Sequence, residues 1–164
     1  MKDETSTVNS PASDAGAPTP SDDNSLVWSD ARLLGFAAMD DVHKEFYTVA
    51  LQLVTCTDET AAAAICRFEH HALSHFEQED QWMRSTNFPP RDCHIDEHAA
   101  VLKSVSEVKE AVQSGRAGAN LVRDVGMHLF EWFPGHADYL DSALAAWMVK
   151  QTMGGKPVVL RRKV

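Results

Sequence analysis

The sequence predicts an all-α protein folded as an antiparallel up-down-up-down four-helix bundle. Apolar residues recur at helical spacing in four consecutive stretches of the chain. The only strand-like stretch is residues 157–160, which is too short to build a sheet. At 164 residues the chain can bury a single core, and the short connections between stretches favour helices that run antiparallel to their neighbours.

The two ends of the chain differ in composition from its middle. Residues 1–26 are rich in Ser, Thr, Pro, Asp and Ala, so we expect a disordered N-terminal arm that cannot bury enough apolar surface to fold. We expect the bundle domain to cover residues 27–151, with Trp28 packing the incoming chain onto it. Residues 152–164 are a predicted basic tail, which contains Lys156, Arg161, Arg162 and Lys163.

Four helices are predicted, with the proline pair Pro89-Pro90 and a glycine-containing turn ending the second and third of them. Asp58 is the predicted N-cap of the second helix. The expected ranges are 39–55, 59–84, 91–114 and 119–151. The fourth helix has a predicted inward stripe of Leu121, Val125, Leu129, Trp132, His136, Leu140, Leu144 and Met148.

Composition excludes several classes of partner and location. The net charge of -9 argues against nucleic-acid binding, because such proteins carry a basic surface. No apolar run is long enough to span a membrane, and the N-terminus lacks a signal pattern. Three cysteines form no paired framework, which suits a reducing compartment. We therefore expect a cytoplasmic protein, and a monomer in solution.

Five histidines and two carboxylates are distributed over the four predicted helices, on or near their inward faces. A buried histidine or carboxylate is costly without a partner, so seven of them in one small domain need a common one. A dinuclear metal centre supplies such a partner. The seven candidate metal ligands are His43, His75, Glu79, His94, His98, His136 and Asp141.

The spacing of these residues supports convergence on metal ions. The Cβ atoms of residues four apart on a helix lie about 5–6 Å from each other. The pairs His75/Glu79 and His94/His98 have this spacing. Imidazoles suit iron, zinc, copper or nickel, and carboxylates can bridge two ions. His136 and Asp141 lie roughly 140° apart on an ideal helix. Pro134 removes a backbone N–H just before them, so we expect an irregular, locally wide helix that lets this pair converge.

Other polar and aromatic residues near this set are expected to have different roles. His70, His71 and His128 are interpreted as non-ligands, because they lie off the best stripe or lack a partner at ligand spacing. Asp40 is expected to be a first-turn or capping carboxylate that could also accept a hydrogen bond from a ligand. Four aromatic residues are expected to lie in the core and wall the site: Phe76, Trp82, Trp132 and Tyr139.

Two other metal motifs can be compared with the sequence. Residues 94–98 match H-x-x-E-H, the inverted zinc-peptidase signature, in which Glu97 would be the general base. That motif leaves His43, His75 and His136 without a role, and Glu97 is explained equally well as an exposed helix residue. The ferritin-like di-iron proteins need Glu-x-x-His twice, and no histidine in this chain has a Glu three residues before it.

The order H, H-x-x-x-E, H-x-x-x-H and H-x-x-x-x-D resembles the signature of the hemerythrin family. The resemblance covers residues 27–149 and includes all seven ligand positions. Surrounding residues agree with it as well, namely Trp28, Gly35, Asp40, Phe76 and Trp132. Two departures occur: Asp80 follows Glu79 where a second Glu is common, and Pro134-Gly135 precede His136.

The resemblance implies a non-haem di-iron centre with an oxo or hydroxo bridge. His94, His98 and His136 would hold one iron, His43 and His75 the other, and Glu79 and Asp141 would bridge them. The second iron would keep an open position for dioxygen. We therefore expect reversible dioxygen binding for storage, delivery or sensing, by a binding protein rather than an enzyme. The alternatives are a di-iron peroxidase or nitric-oxide-handling enzyme, and an iron- or oxygen-responsive regulatory module.

Overall fold

Helices account for most of residues 26–154, which are the residues that the computed structural model describes. A short 3-10 turn at Asp30–Arg32 precedes them. The helices are α1 (Ala37–Val54), α2 (Asp58–Ser85), α3 (Arg91–Gln113), α4 (Ala119–His136) and α5 (Ser142–Met153), with a π-helical turn at Ala137–Asp141 between the last two. Because the backbone stays helical from α4 through this turn into α5, these elements form the fourth helix of a bundle. The predicted all-α four-helix bundle is confirmed.

Several expectations concern residues beyond this range. The predicted disordered arm lies outside the described residues except for Leu26, and residues 155–164 of the predicted basic tail also lie outside them. The bounds of the bundle domain therefore stay a prediction. Within residues 26–154, no helix combines the length and apolar character needed to cross a membrane. All three cysteines are free.

The N-terminal ends of α2 and α4 are linked through Asp58. The prediction that Asp58 is the N-cap of α2 was wrong: Thr57 is the N-cap, and its backbone N–H donates to Thr60 Oγ1 at 2.8 Å. Asp58 Oδ1 instead accepts the N–H of Ala119 at 2.7 Å, in the first turn of α4. A Cβ at Gly118 would lie 2.7 Å from the same oxygen, so a larger residue there would require the Asp58 carboxylate to shift.

Asp40 ties the chain before α1 to the first turn of that helix. Its two carboxylate oxygens accept the backbone N–H groups of Leu34 at 2.7 Å and Gly35 at 3.0 Å. The expected role of a first-turn carboxylate is confirmed. Trp28 also packs as predicted, with its ring edge-to-face on Tyr47 at a centroid distance of 5.8 Å.

Two apolar clusters lie above and below the candidate ligands. The larger includes Phe46, Leu53, Ile65, Phe68, Phe76, Val122, Phe130 and Phe133. The smaller includes Met39, Met83, Phe88, Leu144, Ala145 and Met148. On α1, His43 lies between Met39 of the smaller cluster and Phe46 of the larger one, and the other helices repeat this order. The polar residues are therefore enclosed between two apolar layers.

The predicted inward stripe of the last helix is only partly right. Leu129, His136, Leu144 and Met148 are buried, but Leu121 is 37% exposed and Val122 is buried in its place. Helix α1 approaches α4 closely at Gly126, where an added Cβ would lie 2.9 Å from Leu53 Cβ. The face of α4 that carries Val122 and Gly126 therefore packs against α1, and Leu121 lies outside this contact.

Candidate metal centre

All seven predicted ligands meet in the middle of the bundle, and each is at most 4% exposed. Their side chains come from every helix of the bundle, so the site depends on the whole tertiary structure. Helix α1 contributes His43, α2 contributes His75 and Glu79, α3 contributes His94 and His98, and the two ends of the π-helical turn contribute His136 and Asp141.

The π-helical turn explains how His136 and Asp141 converge despite their spacing. Pro134 cannot donate a backbone hydrogen bond, and the wider turn begins at Ala137, just beyond it. Ser142 N–H donates to the carbonyl of Ala137, five residues back. As a result, His136 Nε2 lies 3.2 Å from Asp141 Oδ1. The predicted irregularity near Pro134 is confirmed.

Three histidines form one group of candidate ligand atoms. The Nε2 atom of His136 lies 3.1 Å from that of His94 and 3.3 Å from that of His98. Glu79 Oε2 approaches this group, at 3.4 Å from His98 Nε2. Asp141 Oδ1 does so too, at 3.0 Å from His94 Nε2. These five residues offer ligand atoms that all lie within 4.8 Å of one another, close enough to hold one metal ion.

The other two histidines form a second group on the opposite side of the carboxylates. His75 Nε2 lies 3.0 Å from Glu79 Oε1, and His43 Nε2 lies 3.6 Å from the same oxygen. His43 Nε2 is also 3.2 Å from Asp141 Oδ2. Each carboxylate thus directs one oxygen to the three-nitrogen group and the other oxygen to the two-nitrogen group. This is the arrangement that two bridging carboxylates need.

The polar atoms inside the site are left without adequate hydrogen bonds. His43 Nε2, Glu79 Oε2 and both oxygens of Asp141 are buried and have no aligned partner. Buried polar atoms in folded proteins are nearly always satisfied, so a set of them facing one another requires a shared partner. Imidazole nitrogens and carboxylate oxygens are ligands that iron accepts. The donor set therefore fits metal ions that accept such ligands, iron among them.

The electrostatics of the site also favour cations. Burial opposes the charge on His43, yet its contacts with Asp141 and Glu79 raise its pKa to about 9. The same balance raises the pKa of His94 to about 9. Although burial raises the pKa of Glu79, the surrounding imidazoles hold it well below its usual range. Burial and Glu79 also raise the pKa of Asp141, but its contacts with His136, His43 and His94 lower it overall. Both carboxylates therefore favour positive charge in the buried space.

Two further carboxylates, which the sequence interpretation did not connect to the site, contact the outer nitrogens of the three-histidine group. His98 Nδ1 donates to Asp80 Oδ1 at 3.0 Å, and His136 Nδ1 donates to Glu97 Oε2 at 2.9 Å. Glu97 was expected to be an exposed helix residue, and its side chain is 48% exposed. The signals in the sequence were the position of Asp80 beside Glu79 and the Glu of H-x-x-E-H.

The three histidines interpreted as non-ligands all lie outside the two ligand groups. His70 and His128 are exposed, whereas His71 is buried. Burial, followed by the charge of His75, lowers the pKa of His71 to about 3. His71 and His75 border a cavity of about 120 Å³ whose other lining residues are Val42, Glu45, His70, Ser74 and Gln78. His71 Nε2 and His75 Nδ1 have no hydrogen-bond partner.

Aromatic rings enclose much of the site. Phe133 stacks on Phe46 at a centroid distance of 3.9 Å and meets His43 edge-to-face at 5.0 Å. On the other side, Phe76 stacks on His98 at 4.1 Å. Trp132 lies 4.4 Å from the His136 ring, as expected of a wall residue. Trp82 packs half-buried against the smaller cluster, and the prediction for Tyr139 was wrong because its side chain points to solvent and is 81% exposed.

Comparisons with known proteins agree with this geometry. The sequence model of the hemerythrin HHE cation binding domain matches residues 34–148. A bacteriohemerythrin from Ralstonia nicotianae is 33% identical over 126 residues, which cover 77% of this chain and 90% of that relative. No solved structure matches the chain at a significant level. With a family model that covers most of the bundle and a curated relative at this identity, the chain belongs to the hemerythrin family.

Proposed function

We propose that this protein holds two iron ions at the seven buried residues and binds dioxygen reversibly. Membership of a cation-binding family supports the metal, and the name of the relative supports the same type of centre. The observation that carries the proposal is the division of each carboxylate between a three-nitrogen and a two-nitrogen group. One ion in each group would share Glu79 and Asp141.

The unequal number of histidines gives the two ions different roles. His94, His98 and His136 would saturate one ion together with the shared carboxylates. His43 and His75 would hold the other ion with one nitrogen fewer, which leaves room for an exogenous ligand. A pair of reduced iron ions supplies the two electrons that reversible dioxygen binding requires.

The residues around the two-histidine group would keep water away from that ligand. Phe46 and Phe133 are stacked and almost fully buried, and the rings of Phe133 and His43 meet edge-to-face. Excluding water from a site slows proton delivery and side reactions of what is bound there. This apolar wall supports a binding role over turnover.

A di-iron peroxidase or nitric-oxide-handling enzyme is the second candidate function. The observation that favours it is the polar cavity of about 120 Å³ beside His75, which is large enough for several water molecules. Such a cavity would supply protons to the two-histidine side. A regulatory module controlled by iron or oxygen is a third role that the same centre allows.

One experiment separates these functions. The purified full chain is loaded with iron, reduced without air and then exposed to dioxygen while the visible spectrum is recorded. A stable spectrum that disappears when dioxygen is removed supports a carrier. Rapid oxidation with consumption of peroxide or nitric oxide supports an enzyme. An iron content far below about two per chain would contradict the two-ion centre.

We further infer that the protein is cytoplasmic and monomeric and that it does not bind nucleic acid. The three free cysteines fit a reducing compartment, and the net charge of -9 opposes binding to a polyanion. Light scattering coupled to size-exclusion chromatography tests the monomer, and a second copy in the eluted particle would contradict it.

A further inference from the structure

The outer nitrogens of the two histidine groups have different partners. In the three-histidine group, Nδ1 of His98 and Nδ1 of His136 each donate to a carboxylate, whereas Nδ1 of His94 has no hydrogen-bond partner. In the two-histidine group, His75 Nδ1 has no hydrogen-bond partner. Among residues 26–154, the carboxylates near His43 and His75 contact Nε2, on the inner side. Within the described part of the chain, carboxylate support from outside therefore occurs in one half of the centre, at two of its three histidines.

Asp80 is held in place by a second interaction. Its Oδ1 accepts from His98 Nδ1, while its Oδ2 accepts from Arg84 one helical turn later, with both distances at 3.0 Å. Arg84 lies at the surface with its side chain 52% exposed, whereas the Asp80 side chain is 12% exposed. The charge of Asp80 is thus balanced, and its carboxylate cannot rotate without losing one of two charge-assisted hydrogen bonds.

Glu97 supports a histidine on a different helix from its own. It lies on α3, directly before His98, but its carboxylate accepts from His136 at the end of α4. The contact also explains the H-x-x-E-H pattern at residues 94–98, because Glu97 faces the outer side of a candidate ligand rather than a metal position. The two supporting carboxylates consequently connect three helices around one histidine group.

A carboxylate at the outer nitrogen changes what an imidazole offers to a metal. It places the proton on Nδ1, so the lone pair of Nε2 is directed at the ion, and it makes that nitrogen a stronger donor. It also fixes the orientation of the ring before any ion arrives. Losing such a partner typically reduces metal affinity by about 10- to 100-fold. His98 and His136 have this support, and His43 and His75 have none from a carboxylate.

We propose that Asp80 and Glu97 are positioning residues that make the three-histidine position the first to take a metal ion and the last to lose it. His43 and His75 then complete their position around the carboxylates that the first ion has oriented. This inference rests on the proposed two-ion centre, because an order of filling requires two positions.

The test is a titration of the metal-free full chain with Co²⁺, followed by calorimetry and by visible absorption of the bound ion. Two binding steps are expected for the unchanged protein. In Asp80→Asn and in Glu97→Gln, the affinity of the first step should fall by about 10- to 100-fold, and the second step should change much less. Asp80→Glu, which restores a carboxylate, should recover most of the loss.

Matched variants separate this effect from general damage. Glu107→Gln makes the same change as Glu97→Gln at an exposed position of α3, and Asp124→Asn does so for Asp80→Asn on α4. Both should bind Co²⁺ as the unchanged protein does. Thermal unfolding of every metal-free variant reports whether its fold survives. If one of Asp80→Asn and Glu97→Gln does not fold, the other variant carries the test.

The outcomes are distinct. Equal weakening of both steps, or an unchanged first step in folded Asp80→Asn and Glu97→Gln, would overturn the proposed positioning role. Uptake of a single Co²⁺ by the unchanged protein would instead contradict the two-ion centre. In that case a loss of affinity in the single step would still show that the two carboxylates orient their histidines, while the order of filling would be withdrawn.

Discussion

The two halves of the candidate centre use similar ligands in different surroundings. Two of the three histidines in the first half, His98 and His136, are supported from outside by Asp80 and Glu97. His43 and His75 instead lie against phenylalanine rings, and His75 also borders a small polar cavity. A ring held by a carboxylate is fixed in place, whereas a ring against an apolar wall or a cavity can adjust. The difference suits one half to retaining an ion and the other to exchanging a ligand.

Changing a residue shared by both halves should have the largest effect. Asp141→Asn removes the negative charge that contacts His43 with one oxygen and His94 and His136 with the other. We expect a loss of metal affinity greater than the roughly 100-fold that follows loss of an outer partner. Elemental analysis and a Co²⁺ titration measure it. Asp138→Asn, an exposed neighbour, is the control, and full metal content in Asp141→Asn would contradict the bridging role.

Removing one histidine from each half should separate the two halves. In His75→Ala the three-histidine group stays complete, so we expect about one ion per chain to remain and dioxygen binding to be lost. In His98→Ala the supported group loses a ligand and its link to Asp80, so we expect most of the metal to be lost. Iron content and visible spectra distinguish the results. Equal iron contents in the two variants would show that the halves do not differ.

Weakening the apolar wall should act on the two-histidine half and on the core together. Phe133→Ala leaves a cavity beside Phe46 and His43, which should destabilise the fold by about 3–5 kcal/mol in urea unfolding. Water entering that space should also accelerate oxidation of the oxygenated protein. Phe130→Ala is the control, since it removes a buried phenylalanine from the same helix without touching His43. A similar oxidation rate in both variants would argue against a shielding role.

Altering the polar cavity should have the smallest effect. His71→Leu replaces a buried ring whose Nε2 has no partner by an apolar side chain, so the free energy of unfolding should change by only about 1 kcal/mol. Metal content should stay the same. The rate of azide exchange at the two-histidine half should change, because the wall of the adjoining cavity becomes apolar. Stopped-flow absorption measures that rate, and an unchanged value would show that the cavity is not connected with ligand exchange.

Helical periodicity and spacing were sufficient to predict the bundle and to place all seven candidate ligands. The local irregularity could be predicted too, because a proline removes a specific backbone donor. Asp80 and Glu97 were missed as partners, since their contacts join different helices and depend on how those helices rotate against each other. The same rotation, set by the contact of Gly126 with α1, decided that Val122 and not Leu121 is buried. The rotation of packed helices relative to each other cannot be read from the periodicity of a single sequence.

The π-helical turn is equivalent to one extra residue inserted into an otherwise regular helix. At 3.6 residues per turn, an insertion shifts every later side chain by about 100° in phase. Before the turn, Leu129 and Phe133 belong to the larger apolar cluster, and after it Leu144, Ala145 and Met148 belong to the smaller one. The apolar face of the helix therefore changes its angular position at the turn, and the candidate centre lies where the two apolar faces meet. In a homologue that lacks the extra residue, only one of these two faces would point into the core.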